Sequence, residues 1–486
     1  MSFVSIEFII FFAIIFATYY ILPKQYRYIM LAIASYGFYL LWDIKYTLLL
    51  LAITLVTYFG AFLVQTKYKK VGVCVISVCI AGILLFFKFG NSWVHGIIIV
   101  LSKIGFEFTE KEFRIVIPLG LSFYTLQSLG YLIDVYRGKI SAERNFLKHS
   151  LFVSFFLTIV SGPIERTDNL FKQIQKGTDF SYDKAKKGLL LIIYGYFQKI
   201  MIADRIAPLV NCAFSNYEGQ TGAALLWAVV LYGVQIYVDF AGYSNIAVGA
   251  GKLLGFDLIE NFKQPYFACS IKDFWKRWHI SLSTWLRDYV YISLGGNRCG
   301  KVRMYRNLMI TFLVSAIWHG IGINYIIWGC LHGAYQVAGS ITQKYRVRLK
   351  EALRINENCF SYRLFQGLIT FGLVDFAWLF FGASSTSSAL RILKKILVEF
   401  QLGNTISWKG YLLGMQEMRF IILIIGIIVV LLVDILHEKR ISIIEWLNKQ
   451  NLLFRWSVYF IIVINLLIGI VYNYGTETSS FIYTRF

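Results

Sequence analysis

Residues 3–22, FVSIEFIIFFAIIFATYYIL, carry a single charge, Glu7. An apolar run of about 18 or more residues is long enough to cross a bilayer as a helix. In lipid a backbone must satisfy its own hydrogen bonds, so an isolated run of this kind has no alternative to helix. No basic segment precedes this run and no small-residue cleavage site follows it, which makes it a retained helix and not a signal peptide. Similar runs recur: candidate spans fall near 3–22, 28–42, 46–65, 71–87, 91–105, 151–163, 188–207, 222–240, 306–320, 322–340, 364–382, 419–435 and 455–474. Some, such as 28–42 and 151–163, are too short to cross unaided. With 57% of its 486 residues hydrophobic, the chain reads as an all-α polytopic membrane protein, and soluble and secreted classes are excluded. The five prolines suit long helices. Residues 1–474 are expected to form one membrane domain. Polar segments 341–360 and 384–417 read as loops or surface helices.

The net charge of +21 needs no nucleic-acid partner, because the excess of Lys and Arg on cytoplasmic loops accounts for it. Lys24 and Arg27 follow the first span and Lys67, Lys69 and Lys70 the third. His437, Glu438, Lys439 and Arg440 follow the span 419–435, and Arg455 precedes the last. This asymmetry predicts that both termini lie outside. The seven cysteines form no CxxC pair and the six histidines are scattered, so no metal centre is expected.

Three stretches break the lipid-helix pattern: IPLGLSFYTLQSLGYLIDVYRG (117–138), VDFAGYSNIAVGAGKLLGF (238–256) and SIKDFWKRWHISLSTWLRDYVYISLGGNR (270–298). Polar groups at membrane depth persist only where protein or a water-filled cavity surrounds them. These stretches are therefore expected to line an interior hollow. Between 271 and 306 there are eight Lys or Arg against two Asp. That segment reads either as an amphipathic helix at the headgroups or as a basic mouth for an anionic, phosphate-bearing substrate.

The apolar run 306–318 ends in Trp318, His319 and Gly320. Burying an unpaired polar group costs about 2–7 kcal/mol, so an imidazole here implies a partner or a cavity. Two readings stand: a core histidine bonded to a nearby carbonyl, or a working group. A neutral imidazole suits general-base work on a hydroxyl, which suggests group transfer to an alcohol. His279, in DFWKRWHISLSTW, sits where the basic mouth would meet the hollow, and His332, in WGCLHGAYQ, is a further lining candidate. His95, His149 and His437 lie near predicted helix ends and read as interfacial. The candidate substrate-binding residues are Asp239, Tyr243, Ser244, Asn245, Lys276, Arg277, Trp278, Arg287, Trp318 and His332. There is no GxSxG, HExxH, P-loop or GxGxxG pattern.

The segments PLGLSFYTLQSLGYLIDVYRG, DFAGYSNIAVGAGKLLGFDLIENFKQPYFACSIKDFWKRWHISLSTWLRDYVYISLGGNR and AIWHGIGINYIIWGCLHG, with the opening ILPKQYRYIMLAIASYGFYLLWDIKYTLLLLAI, together resemble the membrane-bound O-acyltransferase family, in its alginate O-acetyltransferase branch. The resemblance implies a ring of about eleven spans, with re-entrant and interfacial helices, around a central tunnel in a bacterial plasma membrane. It places the catalytic histidine of the family's Trp–His–Gly motif at His319 and the second important polar position at His279. It implies a cytoplasmic acyl thioester donor (acetyl-CoA or an acyl carrier), no bound cofactor, an O-acetylated cell-surface polysaccharide as product, and an outer partner enzyme that completes the transfer.

The chain ends SSFIYTRF, an F-x-Y-x-x-F arrangement of Phe481, Tyr483 and Phe486 in an extracellular tail, 475–486. It reads as an aromatic tail at the interface, and it also resembles the C-terminus of the small helper protein of teichoic-acid D-alanylation, whose tyrosine carries an acyl group. That second reading makes Tyr483 a transient acyl carrier: the phenol would attack the thioester with His319 as base. About 40 Å of extended tail, at ~3.3 Å per residue, exceeds a half-bilayer of about 15 Å. A transporter or flippase of a lipid-linked or anionic substrate would use the same hollow, but inverted repeats and paired broken helices are absent from the sequence. A polytopic glycosyltransferase would need acidic metal-binding loops, for which EKE at 110–112 is the sole candidate.

Overall fold

Each apolar run closes its backbone into helix, and the described residues contain no strand. The structure is a computed structural model and describes residues 2–104, 115–160, 162–320, 322–400 and 412–473. The tail with Phe481, Tyr483 and Phe486, and the acidic 110–112, lie outside the described residues. The contacts separate two units, 1–192 with 246–259 and 193–245 with 260–485.

The first unit holds α1 (Ile6–Ile21), α2 (Arg27–Leu40), α3 (Ile44–Leu63), α4 (Lys69–Ser102), α5 (Leu121–Tyr136), α6 (Phe146–Ser154), α7 (Phe156–Ile159), α8 (Lys172–Lys176) and most of α9 (Tyr182–Tyr196). Ser5 caps α1 and Asp43 caps α3, each side chain accepting an orphan N–H of the first turn. The expected spans 71–87 and 91–105 are one helix, α4. Asn91 does not break it, because its amide reaches away from its own helix to the N–H and C=O of Ile115 (2.7 and 2.8 Å). Asn weakens a helix when it competes for local backbone, and here it is occupied elsewhere. The expected span 151–163 is broken at Phe155, whose extended backbone separates α6 from α7. The polar stretch 117–138 becomes α5, buried along nearly its whole length. Its N-cap, Gly120, has φ +71°, and a Cβ there would run into the carbonyl oxygen of Ile159. Only glycine meets both conditions.

The second unit holds α10 (Asp204–Ser215), α11 (Gly222–Leu253, in this unit as far as Asn245), α12 (Ile271–Arg277), α13 (Ile280–Leu286), α14 (Lys301–His319), α15 (Ile323–Ile341), α16 (Gln343–Ala352), α17 (Phe360–Gly382), α18 (Thr386–Val398), and the helices Glu417–Glu438, Ile443–Asn448 and Leu452–Asn473. Between α9 and α10 the helix widens to π-helical turns over Phe197–Ala203, a feature often tied to function. The described parts of the polar segments hold the helices α16 and α18. α16 buries none of its residues, whereas α18 packs Ala389 and Ile392 against Leu225, Val229, Leu379 and Phe380.

Ile44–Leu63, Lys69–Ser102, Gly222–Leu253, Phe360–Gly382 and Glu417–Glu438 are long and apolar enough to cross a membrane by themselves. Their exposed side chains are largely apolar: Ile425, Ile428 and Leu432 on the helix Glu417–Glu438, and Leu364, Phe365 and Leu368 on α17. That is what a lipid-facing surface requires.

α14 and α15 form a hairpin whose axes come close at two glycines. A Cβ on Gly329 would stand 2.7 Å from the carbonyl oxygen of Phe312, and one on Gly333 2.7 Å from the sulfur of Met309. The four-residue spacing of these glycines is the small-xxx-small device of membrane helix pairs, which trade side-chain bulk for backbone contact. The spacing is readable in WGCLHG, although the apolar-run argument does not use it.

Candidate active site

α14 ends at His319, where Gly320 turns the chain away and donates its N–H to Ala316 O at 3.0 Å. A side chain on Gly320 would collide with the Tyr325 ring, so the tight return into α15 depends on it. α15 then carries Trp328 and His332, four residues apart and so on one face, and both are buried. From α17 come Trp378 and Phe381, also buried. Rings surround the His319 imidazole: Trp318 at 4.8 Å, Trp328 at 5.0 Å and Phe381 at 5.2 Å between centroids, all near edge-to-face. Trp328 touches His332 in turn at 5.2 Å and stacks on Trp378 at 5.9 Å. His319 is 2% exposed. The sequence predicts a hollow at this residue, whereas here the imidazole is buried against aromatic side chains.

His279 occupies the break between α12 and α13. These helices have seven residues each, too short to span a bilayer. Its φ of +41° is unusual for a residue with a side chain and costs on the order of 1–3 kcal/mol. The surroundings hold it there. Asn261 accepts from Ile280 N through its backbone oxygen (2.9 Å) and from Ser281 N through Oδ1 (3.2 Å), and Oδ1 is 3.4 Å from His279 Nδ1. Arg277 closes the turn with Asp273 (3.1 Å) and Glu438 (2.6 Å). The His279 ring packs on Phe240 at 4.6 Å and lies 6.1 Å from Trp318. Burial lowers the His279 imidazole to about 3, so the ring is neutral across the physiological range.

Trp318 thus links His279 with His319, and Trp328 links His319 with His332. Trp278, adjacent to His279, closes the circuit through Trp378 at 5.0 Å. His332 also has a defined tautomer. Trp275 Nε1 donates to its Nδ1 at 3.2 Å, which leaves the proton on Nε2. That Nε2, with the indole N–H groups of Trp328 and Trp378, is buried and has no acceptor among the described residues. Unsatisfied buried donors are uncommon and call for an explanation. The three rings are in mutual contact, and one of them, Trp328, packs against His319.

The expected residues from 239–245 form a different arrangement. Lys199, on the π-helical turn, has its Nζ 2.7 Å from Asp239 and 2.8 Å from Asp204, with its side chain fully buried. The same ammonium lies 5.4 Å from the Tyr243 ring centre, and Asn245 donates to Gln198 at 2.7 Å. Asp239 therefore neutralises an internal lysine, and Ser244 is buried beside it in sequence. Removing one member of such a buried pair costs about 3–5 kcal/mol. Phe240 joins this polar knot to the His279 ring. Arg277 is committed to its two carboxylates, while Lys276 is exposed and Arg287 is exposed and paired with Asp288 at 2.8 Å.

Sequence reasoning missed Trp328, Trp378, Phe381, Asn261 and Lys199. Lys199 was detectable as a charge within an apolar run, and the run FAWLFF in α17 as aromatic density. Nothing local ties Asn261 to His279. His149, read as interfacial, is instead fully buried in the first unit, because Thr57 of α3 supplies a partner 3.0 Å from its Nε2; His95 and His437 are exposed. No group of three or more His, Cys, Asp or Glu among the described residues could hold a metal ion.

Comparison with known proteins identifies relatives of the chain. The pattern of the membrane-bound O-acyltransferase family matches residues 139–386, which include all three cluster histidines. The chain is 38% identical to the probable alginate O-acetylase AlgI of Pseudomonas syringae pv. tomato, over 77% of this chain and 70% of that one. It is 32% identical to the peptidoglycan O-acetyltransferase of Helicobacter pylori, over 75% and 72%. It is 31% identical to the teichoic acid D-alanyltransferase of Bacillus subtilis, over 48% of this chain and 61% of the other.

Proposed function

This chain belongs to the membrane-bound O-acyltransferase family, and we infer that it transfers an acetyl group from a cytoplasmic thioester toward hydroxyls of a cell-surface polysaccharide, with His319 as general base. The acetyl group and the polysaccharide class follow the relatives named as alginate and peptidoglycan O-acetylating proteins. The donor is acetyl-CoA or an acyl carrier, and an extracellular acetyltransferase-type partner completes delivery.

The observation that carries this reading is the company His319 keeps: an imidazole at a helix C-terminus, packed on Trp328, whose indole N–H lacks an acceptor among the described residues, as do the N–H groups of Trp378 and His332 that touch Trp328. The hydroxyl oxygen attacks the thioester carbonyl carbon while His319 takes the hydroxyl proton. The negative charge that develops on the carbonyl oxygen is met by N–H donors of the Trp328, Trp378 and His332 set. Donors aimed at such a charge in a dry site are worth about 10²–10³ in rate each. The carbon–sulfur bond then breaks, and the departing thiolate takes the proton back from the imidazolium, leaving ester and free thiol. The end of α14 helps, since a helix C-terminus tolerates a positive charge well. His279 stays neutral and holds the Trp318 side of the wall.

Tyr483 is the proposed first acceptor. A phenol is a weak nucleophile unaided and a good leaving group afterwards, which suits a relay. The test is the full chain in proteoliposomes supplied with labelled acetyl-CoA, followed by peptide mass analysis. Label is expected on a tyrosine ester at Tyr483 or on added polysaccharide, and His319→Ala should abolish it while donor binding persists. Absence of transfer from both acetyl-CoA and an acyl carrier thioester overturns the assignment. Full acetylation by Tyr483→Phe removes the relay alone.

A further inference from the structure

The first unit contains a cavity of about 470 Å³ that shares no residue with the histidine cluster. Its lining includes four cations, Lys24, Arg27, Lys148 and Lys176, drawn from three separate segments, and no carboxylate. Two of the four are already occupied. Lys24 pairs with Asp179 at 2.8 Å. Arg27 donates to the carbonyls of Leu22 and Thr178 (3.0 Å each), with its guanidinium over the rings of Tyr19 and Tyr20 at 5.0 and 5.2 Å. The other two are not: Lys148 and Lys176 have no carboxylate partner among the described residues. Lys148 is held over the Tyr28 ring at 5.3 Å, and Tyr28 is itself fixed by Asn145, which donates to its hydroxyl at 3.2 Å. Beneath the charges the lining is apolar: Leu31, Leu151, Ile174 and Phe256.

With Lys24 paired to Asp179, the charges of Lys148, Lys176 and Arg27 face no acid in the lining, an anion among them would relieve their repulsion, and the Lys148 ammonium set over Tyr28 suits a phosphate oxygen. The apolar lining adds room for the carbon skeleton that carries it. The setting fits as well. The cavity opens where α1 ends, one turn beyond the exposed Ile21, and basic pockets at helix ends of membrane proteins are where lipid headgroups are recognised.

We propose that this cavity is a binding site for a phosphate-bearing anion, with Lys148 and Lys176 as the ligand-contacting cations and Arg27 as a fixed charge behind them. Two sources share that chemistry, an anionic phospholipid headgroup and a soluble phosphate ester, and two probes separate them. The purified full chain in non-ionic detergent is titrated by calorimetry with short-chain phosphatidylglycerol below its micelle concentration and, separately, with inorganic pyrophosphate. Saturable binding of the first at lower concentration than the second assigns the site to lipid, and the reverse order assigns it to a soluble ester. In either case Lys148→Gln combined with Lys176→Gln should weaken binding about tenfold or more, while Lys344→Gln with Lys394→Gln, both exposed elsewhere, leaves it unchanged. Failure of both probes to bind at millimolar concentration, or equal weakening by the two variant pairs, overturns the proposal.

Discussion

His149 in the first unit and His319 in the second are buried alike, at 0% and 2% exposure, and their surroundings differ in kind. Around His149 the hydrogen bonding is local. The Thr57 hydroxyl, within reach of Ile53 O at 2.9 Å, lies 3.0 Å from His149 Nε2, the Tyr58 and Tyr131 rings pack on the imidazole, and its Nδ1 is buried without a partner among the described residues. Around His319 the shell is tryptophan and phenylalanine, and the donors beside it lack acceptors among the described residues. Depth in the protein therefore does not by itself mark a histidine as catalytic. What differs is the neighbourhood: a hydroxyl partner and two tyrosine rings at His149, against a shell of tryptophan and phenylalanine at His319.

The comparison breaks most decisively if the two histidines respond alike to removal. His319→Ala should lower acyl transfer by about 10²–10⁴, the usual worth of a general base, in a labelled-thioester assay on the reconstituted chain. His149→Ala should leave the rate per folded molecule within about twofold, as expected for a residue outside the chemistry. Equal losses would erase the distinction.

Next in size are the donors. Trp328→Phe keeps the ring and deletes the N–H, and should lower turnover about ten- to a hundredfold with little change in melting temperature. Because its indole N–H has no acceptor to lose among the described residues, a large stability cost with intact turnover would mark Trp328 as packing only. For His149→Phe the pattern inverts: loss of the Thr57 bond should cost about 1–3 kcal/mol, read as a lowered melting midpoint, with turnover retained.

The smallest effect concerns Glu165, in the connection between α7 and α8, buried with Asn169 donating to it at 2.8 Å and Ile259 N at 2.7 Å. Burial raises its carboxyl to about 7 from an ordinary 4.5. The folded chain then holds this proton over a range where the unfolded chain has released it. Stability from this group is full below about 4.5 and falls as pH rises through about 7. A melting midpoint that declines across that window in the parent chain and flattens in Glu165→Gln is the expected result.

The helices were legible because lipid leaves the backbone no alternative, and His319 and His279 because each stands in a distinctive aromatic and basic context. The failures have a common origin in distance along the chain. α4 continues through Gly90 and Asn91 because Ile115 occupies the Asn91 side chain. His149 is internal because Thr57, 92 residues earlier, faces it. Phe381 joins the His319 shell from α17, a helix in which the sequence offers no motif. Asp239 and Asn245 bond Lys199 and Gln198, and nothing local in the sequence pairs them. The period of an apolar stripe says that a residue faces inward, and it is silent about which residue it meets there.

Gly329 and Gly333 set the α14–α15 separation by main chain against main chain and sulfur, with no slack for even one added methyl group. The offset between His319 and His332 is thereby a rigid gauge, insensitive to which rings surround it. Trimming Trp318 or Phe381 would open space beside His319 without respacing the two histidines, whereas Gly329→Ala would pry the hairpin apart before it enlarged anything.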